Sequence, residues 1–403
     1  METRARTPQI FPTVNPLPRP RRARQCRTVH PSRLAAAPAP PGPLLSLLLA
    51  DPPSAATTGG DPTSGVDAAL ALAQRLGAAR PAPGRPGTRD LWEALATLAA
   101  DDLALARAVE PHLDAVAILD DADPAAVIVG AWGVFAAEGG DDPLTAEHVD
   151  GGWVLTGTKP WCSLADRLDG ALVTARVAPA TASGTAPAAD APAAAGDRRL
   201  FAVALGAARA AGTAHAAPGG WVARGLVEIP SGPVRFAGTP ATAVGDPDWY
   251  TARPGFAWGG IGVAACWYGG ALGVARTLRA AVRERHEPHA EAHLGAVDEA
   301  LQSARRALDE AAALAEPPRD GEAARPLDRD QVRLLAKRVR ATVARAVDEV
   351  LHRAGRALGP APLALDAAHA KRVADLQIYV RQHHAERDLA SLGRSIADGG
   401  GSW

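Results

Sequence analysis

A double switch in hydrophobic pattern limits the folds open to this chain. Up to about residue 125, apolar residues recur at helical spacing. Leu91, Leu95 and Leu98 share one face of a segment that follows Thr88. Leu103, Leu105, Val109, Leu113 and Val116 form the apolar side of the next, which follows Asp101. Thr and Asp are favoured helix N-caps, so Thr88 and Asp101 mark the expected starts. From about residue 126 the pattern becomes short β-rich runs punctuated by Gly and Pro: AAVIVGAWGVFAA, GGWVLTGTKPW, DGALVTARV, RRLFAVAL, GGWVARGLVEI and GPVRFAGTPATAVG. From Gly255 it turns helical again, over 259–286, 290–316, 328–357 and 367–395. Pro317 and Pro318 separate the second segment from the third, and GPAPLALD separates the third from the fourth.

This order predicts an α+β multidomain protein. Its parts are an N-terminal helical domain over 61–125, a central antiparallel β domain over 126–250 and a C-terminal four-helix bundle over 255–397. Residues 1–60 are rich in Pro, Arg and Ala without a hydrophobic period, and read as a disordered, dispensable tail. Residues 178–197 are of low complexity and read as a flexible loop between strands.

Composition narrows the partners. The formal net charge is −1, which gives no footing for nucleic acid or an anionic membrane. The three cysteines, Cys26, Cys162 and Cys266, are far apart and odd in number, so neither a zinc site nor a disulfide framework is expected. A reducing, cytoplasmic setting is the expectation. LLSLLLA, from Leu44 to Ala50, lies too far from the N-terminus and is too short for a cleaved signal. The uncharged run from Gly255 to Ala275 is Gly- and Ala-rich and leads straight into RTLRAAVRERHE, so it reads as a tightly packed helix rather than a membrane span. Its small residues Gly262, Ala264, Ala265, Gly269, Gly270 and Gly273 suit close helix packing and a homodimer or homotetramer.

One stretch carries specific chemistry. Asp150-Gly151-Gly152-Trp153-Val154-Leu155-Thr156-Gly157-Thr158-Lys159-Pro160-Trp161-Cys162-Ser163 resembles the β hairpin of the acyl-CoA dehydrogenase family. Two further stretches, ARGLVEIPSGPVRFAGTPATAVGDP (223–247) and AHAKRVADLQIY (368–379), resemble the family's last strands and last helix. The resemblance covers roughly residues 65–396. It implies FAD as cofactor, with Trp161 packed on the flavin and the Ser163 hydroxyl near its N5 edge. Ala137-Glu138-Gly139-Gly140-Asp141-Asp142 stands for a shortened form of the family's first flavin motif, which makes Glu138 a third cofactor-binding candidate. The same resemblance implies that Arg372 pairs with Asp375.

The chain departs from the family where the reaction needs a base. The family's glutamate follows the Ile-Tyr of the last helix, or lies upstream of a Gly-Gly-x-Leu-Gly element. Here the matching residues are Val380 and about Val263, and valine accepts no proton. The family's R-x-x-F-G element is not recognisable, and only Leu358-Gly359-Pro360-Ala361-Pro362 stands for its ADP loop. Arg381, His384 and Glu386 are the candidate replacements for catalysis, with His383 beside them. His286, His289 and His293 read as a solvated or subunit-facing side, and no HExxH pattern indicates a metal. The expected function is an FAD-dependent oxidoreductase acting on a small molecule, such as an acyl thioester, with a displaced or absent base. The alternatives are a reduced-flavin-dependent monooxygenase on the same fold and a non-catalytic structural relative.

Overall fold

The computed structural model describes residues 29–35, 40–53, 62–178, 198–217, 220–316 and 327–399. Four helices open the chain: α1 (Pro43–Ala50), α2 (Pro62–Gly77), α3 (Thr88–Asp101) and α4 (Leu103–Ala122). Helix α3 is buried on nearly every side, with Trp92, Leu95 and Leu98 inside and the polar Glu93 and Thr97 beside them. The cap of α4 is Asp102, one residue beyond the expected Asp101; its carboxylate accepts from Ala104 N at 3.0 Å.

Part of the expected tail belongs to the core. Leu34, Leu45 and Leu48 are essentially fully buried. Glu93 holds the extended stretch at residues 32–35: its Oε1 accepts from Leu34 N at 2.8 Å, and its Oε2 pairs with Arg33 at 3.0 Å. The LLSLLLA run is therefore an apolar helix laid on α3. Isolated leucines in a Pro-rich setting carry no period, so no pattern in the chain announces this docking. The remaining tail and the 179–197 part of the low-complexity loop lie outside the described residues.

The β region comprises β1 (Trp132–Phe135), β2 (Thr145–Val149), β3 (Gly152–Lys159), β4 (Gly170–Val177), β5 (Arg198–Val203), a short helix α5 (Leu205–Ala210), β6 (Ala214–Ala216) and β7 (Val234–Val244). The expectation of an antiparallel β domain is wrong. Strands β4, β2, β3, β7 and β5 pair in that order, and β5 pairs back to β4, which closes a five-stranded barrel with a mixed sheet. β4 runs parallel to both β1 (Trp132↔Gly170 to Phe135↔Val173) and β2 (Thr145↔Arg176, Ala146↔Val177). Those two strands share one edge of β4, one behind the other, while β5 takes the opposite edge antiparallel. Gly139 and Gly140, both at positive φ, sit in the link that lets the chain continue along this edge instead of reversing. Period-two alternation reports which face a side chain takes and is blind to strand direction, so the parallel pairs were invisible in the pattern.

The C-terminal region holds α6 (Trp249–Ala252), α7 (Pro254–Arg285), α8 (Pro288–Ala315), α9 (Arg329–Leu358), α10 (Ala361–Leu365), α11 (Ala367–Tyr379) and α12 (Glu386–Ala397). The expected fourth bundle helix is not continuous. After α11 the chain tightens into a 3₁₀ turn over Val380–Gln382 and breaks at His383–Ala385, with Ala385 at φ +45°. No Pro or Gly marks this break, so helical spacing ran through it. The small residues of α7 pack inside the same chain: a Cβ at Gly269 would collide with Ala96 O of α3, and one at Gly273 would meet Ala100 O at 2.8 Å. Among the described residues no helix is long and apolar enough to cross a membrane, α7 included.

Candidate functional site

The site begins at the end of the β2–β3 hairpin. Its turn is Asp150-Gly151, both at positive φ, as a tight two-residue hairpin requires. β3 delivers Lys159 to the interior, where its ammonium meets Glu138 Oε1 at 3.1 Å and Thr174 Oγ1 at 2.8 Å. Burial opposes charge at Glu138, but the Lys159 ammonium outweighs it and holds the carboxyl below the usual range. Burial lowers the Lys159 pKa in turn.

Beyond Lys159 the chain pairs with the stretch before β7: Cys162 N donates to Gly232 O and Leu164 N to Pro230 O, each at 2.9 Å. Between these anchors Trp161 sits at φ +58° with 64 % of its surface exposed. A bulky residue in the left-handed region costs on the order of 1–3 kcal/mol and persists only where its surroundings impose it. The Cys162 thiol beside it is pushed up to about 12 by burial, which makes it inert as a nucleophile.

Ser163 is buried and heads a chain of hydrogen bonds. Arg107 Nη2 donates to Ser163 Oγ at 2.8 Å, Ser163 and Ser231 hydroxyls lie 2.7 Å apart, and Ser231 Oγ donates to Ile229 O at 3.1 Å. Since Ser231 gives its only proton to Ile229, Ser163 must give its own to Ser231. One Ser163 lone pair stays free.

Arg107 comes from α4, where Pro111 lies inside the helix. Pro111 has no N–H to give to Arg107 O, so the regular bond is missing at this turn. Arg107 also stands over the Tyr379 ring, 5.6 Å from its centroid. Tyr379 packs edge-on against Trp267 of α7, as does His383. Arg340 of α9 covers the Trp267 ring at 4.6 Å and donates to Gly260 O at 2.7 Å and Gln382 O at 3.1 Å. Tyr379 Oη and Trp267 Nε1 are buried without hydrogen-bond partners. In their midst, half-buried on α4, is Glu110. Burial, with the Asp114 charge second, pushes its carboxyl up to about 7 against the pull of Arg107 and Arg340.

The structure brings some of the sequence candidates together and disperses others. Trp161 and Ser163 lie two residues apart on one stretch, the first exposed and the second buried. Glu138 faces a separate crevice of about 210 Å³, lined also by Arg198, Arg199, Tyr250 and Phe256. His384, Arg381 and Glu386 all lie toward the surface rather than in the core. Arg381 pairs with Asp348, and His384 Nδ1 lies 3.4 Å from Asp388. Val380 is fully buried at the 3₁₀ turn, and Val263 is half-buried on α7. Asp375 pairs with Lys371 at 2.6 Å and accepts from Leu226 N, whereas Arg372 Nε has no partner. Sequence reading missed Arg107, Glu110 and Arg340. On isolated helices an Arg and a Glu three apart look like an ordinary solvated pair, and Pro111 was the one local irregularity at hand.

A barrel between two helical regions is a fold that the chain shares with solved flavin-binding proteins. The chain matches FMN-bound TdsC, a dibenzothiophene monooxygenase from Paenibacillus sp. A11-2, with a TM-score of 0.67 and 18 % identity over 88 % of this chain and 95 % of that one. It matches KijD3 in complex with FMN and a dTDP-linked sugar with a TM-score of 0.65 and 19 % identity, over 83 % of this chain and 87 % of that one. For the flavoprotein nitroalkane oxidase the TM-score is 0.66 and the identity 16 %, over 88 % and 94 % of the two chains. No family model matches the chain, and neither does any curated protein. The resemblance to the acyl-CoA dehydrogenase family thus stands at the level of the fold, which these flavoproteins share.

Proposed function

We propose that the protein is a flavin-dependent oxidoreductase acting on a small molecule bound between the end of the β2–β3 hairpin and helices α4, α7, α9 and α11. The observation that carries this is Trp161. A strained backbone holds an indole outward, uncovered by the chain, beside a buried hydroxyl that keeps one lone pair free. These residues fit a flat flavin ring: the indole offers it a face and Ser163 an acceptor at its edge. They fit the ring common to FAD and FMN. The family resemblance implies FAD, while two of the similar structures hold FMN. When bound, the flavin supplies the two-electron redox chemistry. The chain's own part is to orient the ring through Trp161 and Ser163, to hold Ser163 through Arg107, and to keep apolar residues at Val380 and Val263.

Titration of the full chain with FAD and with FMN, followed by flavin fluorescence, tests the proposal. We expect saturable quenching by at least one of them and a weakening of at least about tenfold in Trp161→Ala, with the circular dichroism unchanged. Absence of binding by both flavins overturns it. Small buried polar groups at the site favour an enzyme over a scaffold, because an uncompensated carboxylate there brings no stability.

A second reading is a reduced-flavin-dependent monooxygenase. The buried valine at position 380 favours it, since oxygen chemistry of this kind needs no carboxylate there, and TdsC is a monooxygenase of the same fold. Oxygen uptake by the protein with chemically reduced FMN, in excess of that by free FMN, separates this reading from acyl thioester dehydrogenation. The latter instead bleaches bound oxidised flavin in the absence of oxygen. An acyl thioester substrate, a homo-oligomeric state and a cytoplasmic location belong to the same proposal.

A further inference from the structure

A second cavity, of about 580 Å³, opens where the extended stretch at residues 30–33 meets α7 and α8. It shares no residue with the site at Trp161 and Ser163 or with the crevice at Glu138. Tyr268, Leu272, Arg276 and Arg279 line it from one face of α7, at helical spacing. Arg305 reaches it from α8 and Arg33 from the extended stretch. Among the described residues Asp298 is the one carboxylate on the wall. Glu93 neutralises Arg33 at 3.0 Å, but no carboxylate of the described residues lies within ion-pair distance of Arg276, Arg279 or Arg305. The backbone aims two of these guanidinium groups. Arg276 Nη2 donates to His30 O at 3.2 Å, Arg305 Nη1 to Leu34 O, and Arg305 Nε to Gln302 Oε1 at 2.9 Å. Such bonds use part of the five N–H groups of each and leave its charge uncompensated. Arg279 is exposed and makes no hydrogen bond. Burial depresses the Arg276 pKa; the Asp101 charge opposes this, and the Arg279 and Arg372 charges reinforce it. The preceding run RPRRARQCR is itself basic, so the sequence there offers no counter-charge. Two neutral donors stand among the cations. Tyr268 is buried and its hydroxyl makes no hydrogen bond; burial pushes it up to about 12 against the pull of Arg305 and Arg276, so it keeps its proton. The Ser32 hydroxyl on the same wall is buried without a partner.

We propose that this cavity binds an organic phosphate, a dianionic phosphate monoester on a small apolar or aromatic body. The phosphate oxygens accept from the N–H groups that Arg276, Arg279 and Arg305 leave over and from the Tyr268 hydroxyl. Guanidinium groups suit this task because their planar fork matches two oxygens of one phosphate. Cations held close together without counter-charge are costly, and a dianion among them offsets that cost. The body of the ligand lies on Leu272, Val297 and Leu301, the apolar side of the same cavity. Arg276 and Arg305 also hold the backbone at His30 and Leu34, so the ligand and the early stretch share two side chains. Occupation of the cavity therefore tightens the hold of residues 30–34 on α7 and α8. The proposal is independent of the flavin-dependent reading.

The test is isothermal titration of the full chain with AMP, inorganic phosphate and adenosine. We expect saturable binding of AMP, weaker binding of inorganic phosphate and none of adenosine. Arg279→Ala should weaken AMP binding by about tenfold or more, through loss of charge-assisted hydrogen bonds. Tyr268→Phe should weaken it by roughly threefold. Neither replacement removes a hydrogen bond within the described residues, so both variants should keep the wild-type urea midpoint. Absence of AMP binding overturns the proposal, as does wild-type AMP affinity in Arg279→Ala. AMP binding no tighter than that of inorganic phosphate overturns the assignment to an organic phosphate, and adenosine binding as tight as AMP overturns the role of the phosphate. Hydrogen exchange then locates the ligand. AMP should slow exchange of the amides at residues 30–34 and leave those at 158–164 unchanged. The reverse pattern would place AMP at the proposed flavin site and overturn the assignment to this cavity. Trp161→Ala should bind AMP as the wild type does, so failure of the flavin reading and failure of this one are told apart.

Discussion

At residue scale, His112 and Glu110 lie two positions apart on α4 and respond to pH with opposite sign. His112 is buried, and its Nδ1 accepts from Trp132 N at 3.1 Å, which ties α4 to β1. Burial lowers its pKa to about 4 from 6.5. A histidine with a depressed folded pKa lends stability that is present above 6.5 and lost as pH falls towards 4. The loss is on the order of 3 kcal/mol for a shift of this size. Glu110 has its folded pKa raised from 4.5 to about 7. Its relative stabilisation is full below 4.5 and is lost as pH rises from there to about 7, by roughly 1–3 kcal/mol for a half-buried group. Between pH 4.5 and 6.5 the two trends oppose each other, so in the wild type their effects on the urea midpoint largely offset. His112→Gln should leave a midpoint that falls as pH rises from 4.5 to 7, and Glu110→Gln one that falls as pH drops from 6.5 to 4. Wild-type pH dependence in both variants would show that other groups control it.

At the scale of elements, the contact between α3 and α7 depends on glycine. Ala96 O stands where a Gly269 Cβ would go, so the two backbones have no room for a methyl group. Gly269→Ala gains roughly 1 kcal/mol of helix propensity. It should nonetheless lose about 3 kcal/mol net by forcing the helices apart, read as a lower urea midpoint. Gly295→Ala on α8 has nothing within 4 Å of its Cβ and should stabilise slightly. This pair of variants separates helix propensity from helix packing. It also gives the small-residue stripe of α7 a purpose within one chain, so the stripe by itself argues nothing about subunits.

At the scale of the whole molecule, the early segments act as a strap. Leu34, Leu45 and Leu48 each remove a full side chain from water, at roughly 1.5–3 kcal/mol apiece. Arg276 and Arg305 hold the backbone at His30 and Leu34. A chain beginning at Asp67 should therefore melt well below the full chain in calorimetry, or express insoluble, with the apolar face of α3 laid bare. Equal melting temperatures would return residues 29–53 to the status of a dispensable tail.

Local features were written in the chain and could be read from it. The helix–strand–helix order comes from spacings of 3.6 and 2, which each segment carries in its own residues. The D-G turn of the hairpin and the Trp161–Ser163 neighbourhood were legible because they lie within one continuous stretch. Features that join distant parts of the chain needed the folded molecule. Strand direction in the barrel was one, since a pleat looks the same read either way. The burial of Leu34 was another, since it depends on Glu93 and Arg305. The break at His383–Ala385 was a third. Glu110 is the clearest case: beside Arg107 it reads as half of a surface pair. It becomes a half-buried acid without an ion-pair partner because α7 and α11 pack against α4 while Arg107 turns to Ser163. Local patterns fix which way a side chain points from its own element. Whether water, a partner or nothing meets it there is set by the elements that fold back against it.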